Sequence, residues 1–462
     1  MVKYDKTTAL LRMADQNARI DPSDFWRCGF HLTPPAGWLN DPNGLCRFQG
    51  YYHVFFQYAP AYPQNGQKAW GHYRSPDLIN WEYLGIPLYP DTDLDKDGAY
   101  SGSALVENDR MYLFYTGNVK EPGEHDFTHS GRLSNTILVE SRDGIHFSEK
   151  RCVLDSYPSD YTCHIRDPKV SGKDGRYDMV LGGRRREDKG AVLRYTSKDK
   201  ENWELAEEIT TEKPFGYMWE CPDLIQIGER HYLAVCPQGL EAEEYRFQNN
   251  HQAGYFLLTR ERTAENFVEW DMGFDFYAPQ IFMDEKGRHI MIGWIGLPDE
   301  PYGNRDEKNG WTQALSLPRV LTQTAEGLLR QYPAEELEQL REKKVLQNPI
   351  RYDWIVTKEK KQTVTLRLSK ELELKINEQE VLLQFTGDSG AGRTARKALH
   401  AGIEEIRVLA DGSVLEIYFN HGEMVMTTRI YQETPGFEVG IEGKVSSSTL
   451  YEMKKMSWTD LR

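Results

Sequence analysis

Asn40-Asp41-Pro42-Asn43-Gly44 opens a cadence that returns four times along the chain. The later occurrences are Tyr100-Ser101-Gly102-Ser103, Arg166-Asp167-Pro168, Glu220-Cys221-Pro222-Asp223 and Tyr277-Ala278-Pro279-Gln280. Each is followed by a few apolar residues, a charged or glycine-containing turn, and a hydrophobic run such as Tyr52-His53-Val54-Phe55-Phe56 or Met111-Tyr112-Leu113-Phe114-Tyr115. Aligned on Pro42, Gly102, Pro168, Pro222 and Pro279, the units lie 60, 66, 54 and 57 residues apart. A repeat of that length, made of short strands and turns, reads as the blade of a β-propeller. Equivalent positions of successive blades face one axis, so Asp41, Asp167 and Glu220 are expected to converge from distant parts of the chain.

A second echo counts the same units. Ser75-Pro76-Asp77, Ser141-Arg142-Asp143 and Ser197-Lys198-Asp199 each lead, four residues on, to an aromatic residue: Trp81, Phe147 and Trp203. Thr263 to Trp270 is a looser cousin. Short polar side chains that bond their own backbone make tight turns, so these motifs are read as structural.

Past Leu321 the texture changes. Pro333-Ala334-Glu335-Glu336-Leu337 suits the start of a helix, with proline in the first turn and acids complementing the dipole. Beyond about residue 347, strict alternation sets in, as in Thr363-Val364-Thr365-Leu366-Arg367-Leu368 and Val414-Leu415-Glu416-Ile417-Tyr418-Phe419. Period-two runs bounded by Asn, Asp and Gly indicate a two-sheet sandwich. The expected architecture is therefore all-β. A leader spans 1–29 with a short helix near residues 3–19, a five-bladed β-propeller 30–332, a helical linker 333–346, and a β-sandwich 347–462.

With 462 residues there is room for two domains and a large core. The net charge of −15 argues against nucleic acid or an anionic membrane as the main partner. A local basic pocket for a phosphorylated small substrate stays compatible with it. Residues 1–20 lack the apolar core of a secretory signal, and no run reaches the length of a transmembrane span. The six cysteines are far apart and lack zinc-ligand spacing, as expected of free thiols in a reducing cytoplasm. Asp93 to Gly98 imitates a calcium loop, but Ala104 stands where a bidentate Glu is needed. Neither metal nor cofactor is expected. Arg184-Arg185-Arg186 reads as a solvated loop paired with Glu187 and Asp188. His53 and His72 read as satisfied structural histidines. The number of subunits is left open, a homo-oligomer included.

Three converging acids suit glycosidic bond hydrolysis, which needs one ionised carboxylate to attack and one protonated carboxyl to supply the leaving oxygen. In the retaining arrangement the two stand ~5–5.5 Å apart. Asp41 suits the nucleophile, since amides and turn N–H groups around it favour its ionised form. Glu220 suits the acid, because Met218, Trp219, Cys221 and Pro222 form an apolar wall expected to raise its pKa. Asp167, beside Arg166, suits bonding to sugar hydroxyls as charge develops.

W-L-N-D-P-N-G at 38–44, F-F-Q-Y at 55–58, Y-S-G-S-A at 100–104, R-D-P at 166–168 and E-C-P-D-L at 220–224 resemble glycoside hydrolase family 32, the invertases, β-fructosidases and sucrose-6-phosphate hydrolases. Ala410 to Glu423 resembles that family's C-terminal sandwich motif. The resemblance implies a five-bladed propeller with a sandwich, and retaining hydrolysis of a small β-fructofuranoside without a metal. It implies Asp41 as nucleophile, Glu220 as acid/base and Asp167 as transition-state stabiliser. Asn40, Gln57, Ser103 and Arg166 match positions that contact the fructosyl unit, and Trp38, Trp70 and Trp294 are candidate pocket walls. Two departures concern the leaving group. Asn65-Gly66 stands where many relatives carry a Trp-Gly pair, and Gln313 occupies a variable position.

Four readings follow. The leading one is a cytoplasmic hydrolase of sucrose 6-phosphate or sucrose. A β-fructosidase acting on short fructo-oligosaccharides is the nearest alternative. An arabinan- or xylan-cleaving relative on a similar propeller is disfavoured by the W-L-N-D-P-N-G and E-C-P-D motifs. A silent fructan-binding protein is disfavoured by the presence of all three acids.

Overall fold

The computed structural model describes residues 2–259, 264–345 and 348–459. Thr263 and the turn leading to Trp270 therefore lie partly outside the described residues. An α-helix, Val2–Gln16, precedes the sheets, and the rest of the described structure is strand, turn and three short 3₁₀ helices.

Five antiparallel sheets follow one another between Gly37 and Pro333. Their leading strands are Gly37–Phe48, Ala99–Glu107, Tyr161–Lys173, Met218–Ile227 and Tyr277–Met283. Each leading strand touches the next, and the fifth returns to the first. Three of the sheets are four-stranded, as propeller blades are. The first is widened by two parallel additions, Trp311–Thr312 on its inner edge and Ser457–Thr459 on its outer edge.

All five leading strands are interrupted where the repeated motifs lie. The ladder slips between Leu39 and Pro42, Ala99 and Gly102, Glu220 and Asp223, and Tyr277 and Gln280, and opposite Val180–Gly182 in the third sheet. Such bulges oppose two residues to one and turn a side chain out of the regular alternation. Proline recurs at these points because its missing N–H costs nothing where pairing is already broken. The residue preceding it is left-handed in three sheets: Asp167 (φ 64°), Cys221 (φ 47°) and Ala278 (φ 46°). Such conformations cost roughly 1–3 kcal/mol each and persist where the surroundings enforce them.

The Ser-x-Asp turns repeat atom for atom. Ser75, Ser141 and Ser197 Oγ accept from the amides of Leu78, Gly144 and Lys200 at 2.8, 2.9 and 2.9 Å. Asp77, Asp143 and Asp199 accept from the amides two and three residues on. Their role is local closure of the turn.

The C-terminal unit is two facing sheets. One has six strands, including Arg351–Thr357, Glu405–Asp411, Val414–Phe419 and Met424–Arg429, and the other has five, from Val364–Ser369 to Gly440–Gly443. Their inner faces share a core built on Leu366, Leu374, Leu383, Val408 and Ile417. Within the stretch read as a helical linker, Glu335–Leu340 is a 3₁₀ helix, and Arg341–Lys344 pairs with Ser447–Met453 of the sandwich. Pro333 ends a strand.

The two units meet through buried charge. The Asp411 carboxylate accepts from the amides of Gly29, Phe30 and His31 at 2.6, 2.6 and 3.0 Å. His31 bridges Asp411 (2.9 Å) and Glu416 (3.0 Å), and Arg319 reaches Glu416 at 2.6 Å. All four side chains are fully buried, so removal of any one would leave buried charge less compensated.

Candidate active site

The interrupted leading strands bring Asp41, Asp167 and Glu220 to one cavity of about 460 Å³. Asp41 comes from the first sheet, Asp167 from the third and Glu220 from the fourth. Gly182 makes the approach of the third and fourth sheets close: a Cβ there would stand 2.1 Å from the Trp219 carbonyl oxygen.

Asp41 is held at both oxygens. Asn40 Nδ2 donates to Oδ1 at 3.0 Å, and Gln57 Nε2 (3.3 Å) and Ser101 Oγ donate to Oδ2. Burial raises its pKa, while Ser101 and Asn40 oppose that rise. Asp167 accepts from the Cys221 amide at 3.0 Å, and its own amide donates to Thr116 Oγ1 at 2.9 Å. The Cys221 thiol lies 3.9 Å from Asp41 Oδ2 and 3.8 Å from Asp167 Oδ2, so these two carboxylates flank one sulfur.

Glu220 is the most heavily bonded of the three. Arg166 Nε and Nη2 donate to Oε1 at 3.0 and 2.6 Å, and Gln238 Nε2 and the Tyr277 hydroxyl donate to Oε2, both at 2.7 Å. The expected apolar wall is therefore not what surrounds the carboxyl. Met218 and Trp219 are fully buried in the core, and the carboxyl faces a guanidinium, an amide and a phenol instead. Burial pushes its pKa up, but Arg166 and Tyr277 outweigh that and hold it below the usual glutamate range. The proton moves to the neighbour. Burial, opposed by Arg166 and reinforced by the charges of Glu220 and Asp41, pushes Asp167 up to about 7. Three carboxyls and one guanidinium in a shared site cannot all be ionised cheaply, and with its pKa raised to about 7 Asp167 is only partly ionised at neutral pH.

Of the remaining sequence candidates, Trp38, Asn40, Gln57, Arg166 and Trp294 line the cavity. Trp38 donates to Asn40 Oδ1 at 3.1 Å and meets Trp294 edge-on at 6.0 Å. Two candidates lie elsewhere. Ser103 is buried and accepts from the Val170 amide at 3.0 Å, tying the second sheet to the third. Trp70 is fully buried against Phe55 and Tyr115 and donates to the Tyr100 carbonyl at 3.0 Å.

Several contributors were not singled out from the sequence. Ser101, two residues from the serine singled out, is the one that reaches Asp41. Tyr277 and Gln238 hold Glu220 from other strands. Lys68, Tyr100, Arg132, Asp299, Glu300, Tyr302 and Glu307 also line the cavity. Tyr100, Ser101 and Tyr277 sit within repeated motifs, and Tyr277 could have been found by asking which residue the fifth unit contributes.

The other charged motifs are satisfied locally. Lys150 binds Asp95 of the calcium-loop mimic at 2.6 Å and Asp91 just before it at 2.5 Å. Arg184 pairs with Asp188 at 2.7 Å, Arg185 with Glu208 at 2.8 Å, and His53 and His72 bond each other at 2.9 Å.

Comparison with known proteins gives this geometry its context. Residues 31–333 match the glycosyl hydrolases family 32 N-terminal domain, and residues 338–454 match that family's C-terminal domain. The sucrose-6-phosphate hydrolase of Bacillus subtilis is 36% identical over 468 residues, covering 95% of this chain and 95% of its own. That of Staphylococcus xylosus is 35% identical, covering 94% and 92%. Among solved structures, the sucrose-6-phosphate hydrolase from Lactobacillus gasseri superposes with a TM-score of 0.86 at 28% identity, over 97% of both chains. A family 32 β-fructofuranosidase of Bombyx mori, solved as a mutant in complex with sucrose, gives 0.83 at 28% identity, over 99% of this chain and 100% of that one. Both halves of the sequence thus match the two domain models in order, and the chain belongs to glycosyl hydrolase family 32.

Proposed function

We propose that this protein is a retaining β-fructofuranosidase acting on sucrose 6-phosphate or sucrose, with its site at the axis of a five-bladed propeller. One observation carries the reading: Asp41, Asp167 and Glu220 leave three different sheets at bulges and meet in one cavity, each with hydrogen bonds suited to a separate role. Five consecutive sheets whose leading strands contact in a closed cycle support the blade count.

Asp41 attacks the anomeric carbon of the fructosyl unit. The bond to the leaving oxygen breaks as Glu220 gives that oxygen its proton, and a fructosyl ester of Asp41 forms. Water deprotonated by Glu220 then attacks the same carbon, releasing fructose with retention. For the first step Glu220 has to be protonated, which Arg166 opposes in the empty site. A sugar whose hydroxyls take over the Arg166 donors weakens that opposition, so substrate binding itself favours the acid form. Asp167 bonds fructosyl hydroxyls and, as its carboxylate, stabilises the oxocarbenium-like transition state.

The phosphate preference rests on two basic residues of the cavity lining, Lys68 and Arg132. Among the described residues, neither Lys68 nor Arg132 makes an ion pair, although both line the cavity. Arg132 Nε is buried without a partner. Burial lowers the Lys68 pKa to about 7, so an arriving anion would secure its charge. A phosphorylated substrate met after uptake fits a cytoplasmic enzyme, and among the described residues no helix is long and apolar enough to cross a membrane. Comparing kcat/KM on sucrose 6-phosphate and sucrose tests the preference. Equal values, or a preference for sucrose, remove the phosphate. Asp41→Asn tests the chemistry, and turnover that survives it refutes the nucleophile.

A further inference from the structure

The sandwich domain holds one wall of the active-site cavity from behind, and Arg393 is central to that contact. Arg393, fully buried, donates Nε and Nη2 to Asp275 at 2.7 Å each and Nη1 to the Gly303 carbonyl at 3.1 Å. Gly303 N in turn donates to the Ala391 carbonyl at 2.8 Å, and the Tyr431 hydroxyl donates to Asn304 Oδ1 at 3.0 Å. These sandwich residues thus clamp the propeller segment 297–307, which supplies Glu300, Tyr302, Asn304 and Glu307 to the cavity wall.

Within that segment Glu300 is incompletely satisfied. Its side chain is 8% exposed. Oε1 accepts from Asn304 Nδ2 and from Gln313 Nε2 (3.1 Å), and Gln313 also receives Trp294 Nε1 at 3.3 Å. Oε2 has no hydrogen-bond partner and is buried. Its nearest cation, Arg393 Nη2 at 3.6 Å, is already committed to Asp275 and too far for a good hydrogen bond. A buried acceptor left open in the wall of a substrate cavity calls for a donor from the substrate.

The position selects which part of the substrate. Glu300 lines the same cavity as Asp41, Asp167 and Glu220 but bonds none of them; its partners are Asn304 and Gln313, and Asp299, Pro301 and Gly303 of its segment are exposed. A group bonded at Glu300 therefore belongs to the outward half, the leaving sugar. We propose that Glu300 is a specificity-determining residue that accepts a hydroxyl of the leaving-group sugar, and that Arg393 of the sandwich is the positioning residue that fixes it there. This assigns the sandwich a part in substrate choice, and it rests on the fructoside reading above. Burial pushes the Glu300 pKa up to about 7, with Arg393 opposing and Asp275 reinforcing, so the carboxyl can bond a hydroxyl in either protonation state.

Two substrates with the same fructosyl unit separate the roles: sucrose, and p-nitrophenyl β-fructofuranoside, whose leaving group carries no sugar hydroxyls. Glu300→Gln, nearly isosteric, is expected to lower kcat/KM on sucrose about tenfold, the worth of one hydrogen bond to a charged acceptor, mainly through KM. The aryl substrate should change by less than about twofold. Arg393→Lys should give the same split in smaller measure, with a melting curve confirming that it folds. Should Arg393→Lys not fold, Glu300→Gln decides alone. Equal losses on both substrates, or no loss on sucrose, overturn the proposal and leave the fructoside reading standing. Wild-type turnover of neither substrate overturns both.

Discussion

Tyr277→Phe isolates a single bond to the proposed acid. The Tyr277 hydroxyl donates to Glu220 Oε2 at 2.7 Å, the residue is 2% exposed, and its ring stands edge-on to Trp294 at 6.4 Å. The substitution keeps the ring and removes one donor. A hydrogen bond to an ionised acceptor is worth about 1.5–3 kcal/mol and to a neutral one about 0.5–1.5. The carboxylate therefore loses roughly 1–1.5 kcal/mol more than the carboxylic acid. At 1.36 kcal/mol per unit, the Glu220 pKa rises by about one unit. Burial already pushes in that direction, and Arg166 and Gln238 remain to oppose it. Because kcat/KM requires Glu220 protonated in the free enzyme, its alkaline limb should move up by about one unit. The acidic limb, set by ionisation of Asp41, should move little. Steady-state rates on sucrose at constant ionic strength from about pH 4 to about pH 9 read both limbs. An alkaline limb that stays put, or moves down, refutes the assignment of Glu220 as the acid held ionised by its donors.

Three further outcomes are expected. Glu220→Gln should lower kcat on sucrose by roughly 10²–10⁴-fold and partly spare an activated aryl fructoside, which uniform loss on both would contradict. Asp167→Asn should abolish most activity yet stabilise the fold. The aspartate pKa is raised to about 7, so its ionisation weakens the folded state progressively as pH rises from about 4 through 7. The gain in Tm, roughly 2–4 °C per kcal/mol, should accordingly be larger at pH 8 than at pH 5 by calorimetry. Asparagine tolerates the left-handed backbone found there. His31→Gln should cost roughly 3–5 kcal/mol, read as a fall in denaturant midpoint, because two buried carboxylates lose their shared partner. Burial lowers the His31 pKa, but its bonds to Asp411 and Glu416 outweigh that and leave it raised. This contribution is complete below the unfolded histidine value and lost as pH rises through the folded one, so the variant's deficit should shrink toward alkaline pH.

Much of the site was legible because chemistry-bearing residues sit at repeat positions. Asp41, Asp167 and Glu220 each head a unit, and Asn40 and Arg166 lie beside two of them. Ser103 shows where that reading stops. Ser101 and Ser103 would share a face in a regular strand, but the slip between Ala99 and Gly102 isolates Ser101, which reaches Asp41 while Ser103 ties two sheets together. Trp70 fell to the same ambiguity, since an aromatic beside a pocket motif and an aromatic in the core read alike.

Repeat spacing, strand alternation and the order of the motifs are local properties, so the amino-acid sequence by itself determined the all-β class, the two-unit division and the acids on which the proposed chemistry depends. The protonation of those acids was decided by tertiary structure alone. Arg166, Gln238 and Tyr277 reach Glu220 from three separate strands, and their fields outweigh the apolar neighbours that adjoin it along the chain. The placing of Arg393 against Asp275 and the 297–307 segment is of the same kind. Electrostatic energy falls with distance through space, and separation along the polypeptide carries no information about it.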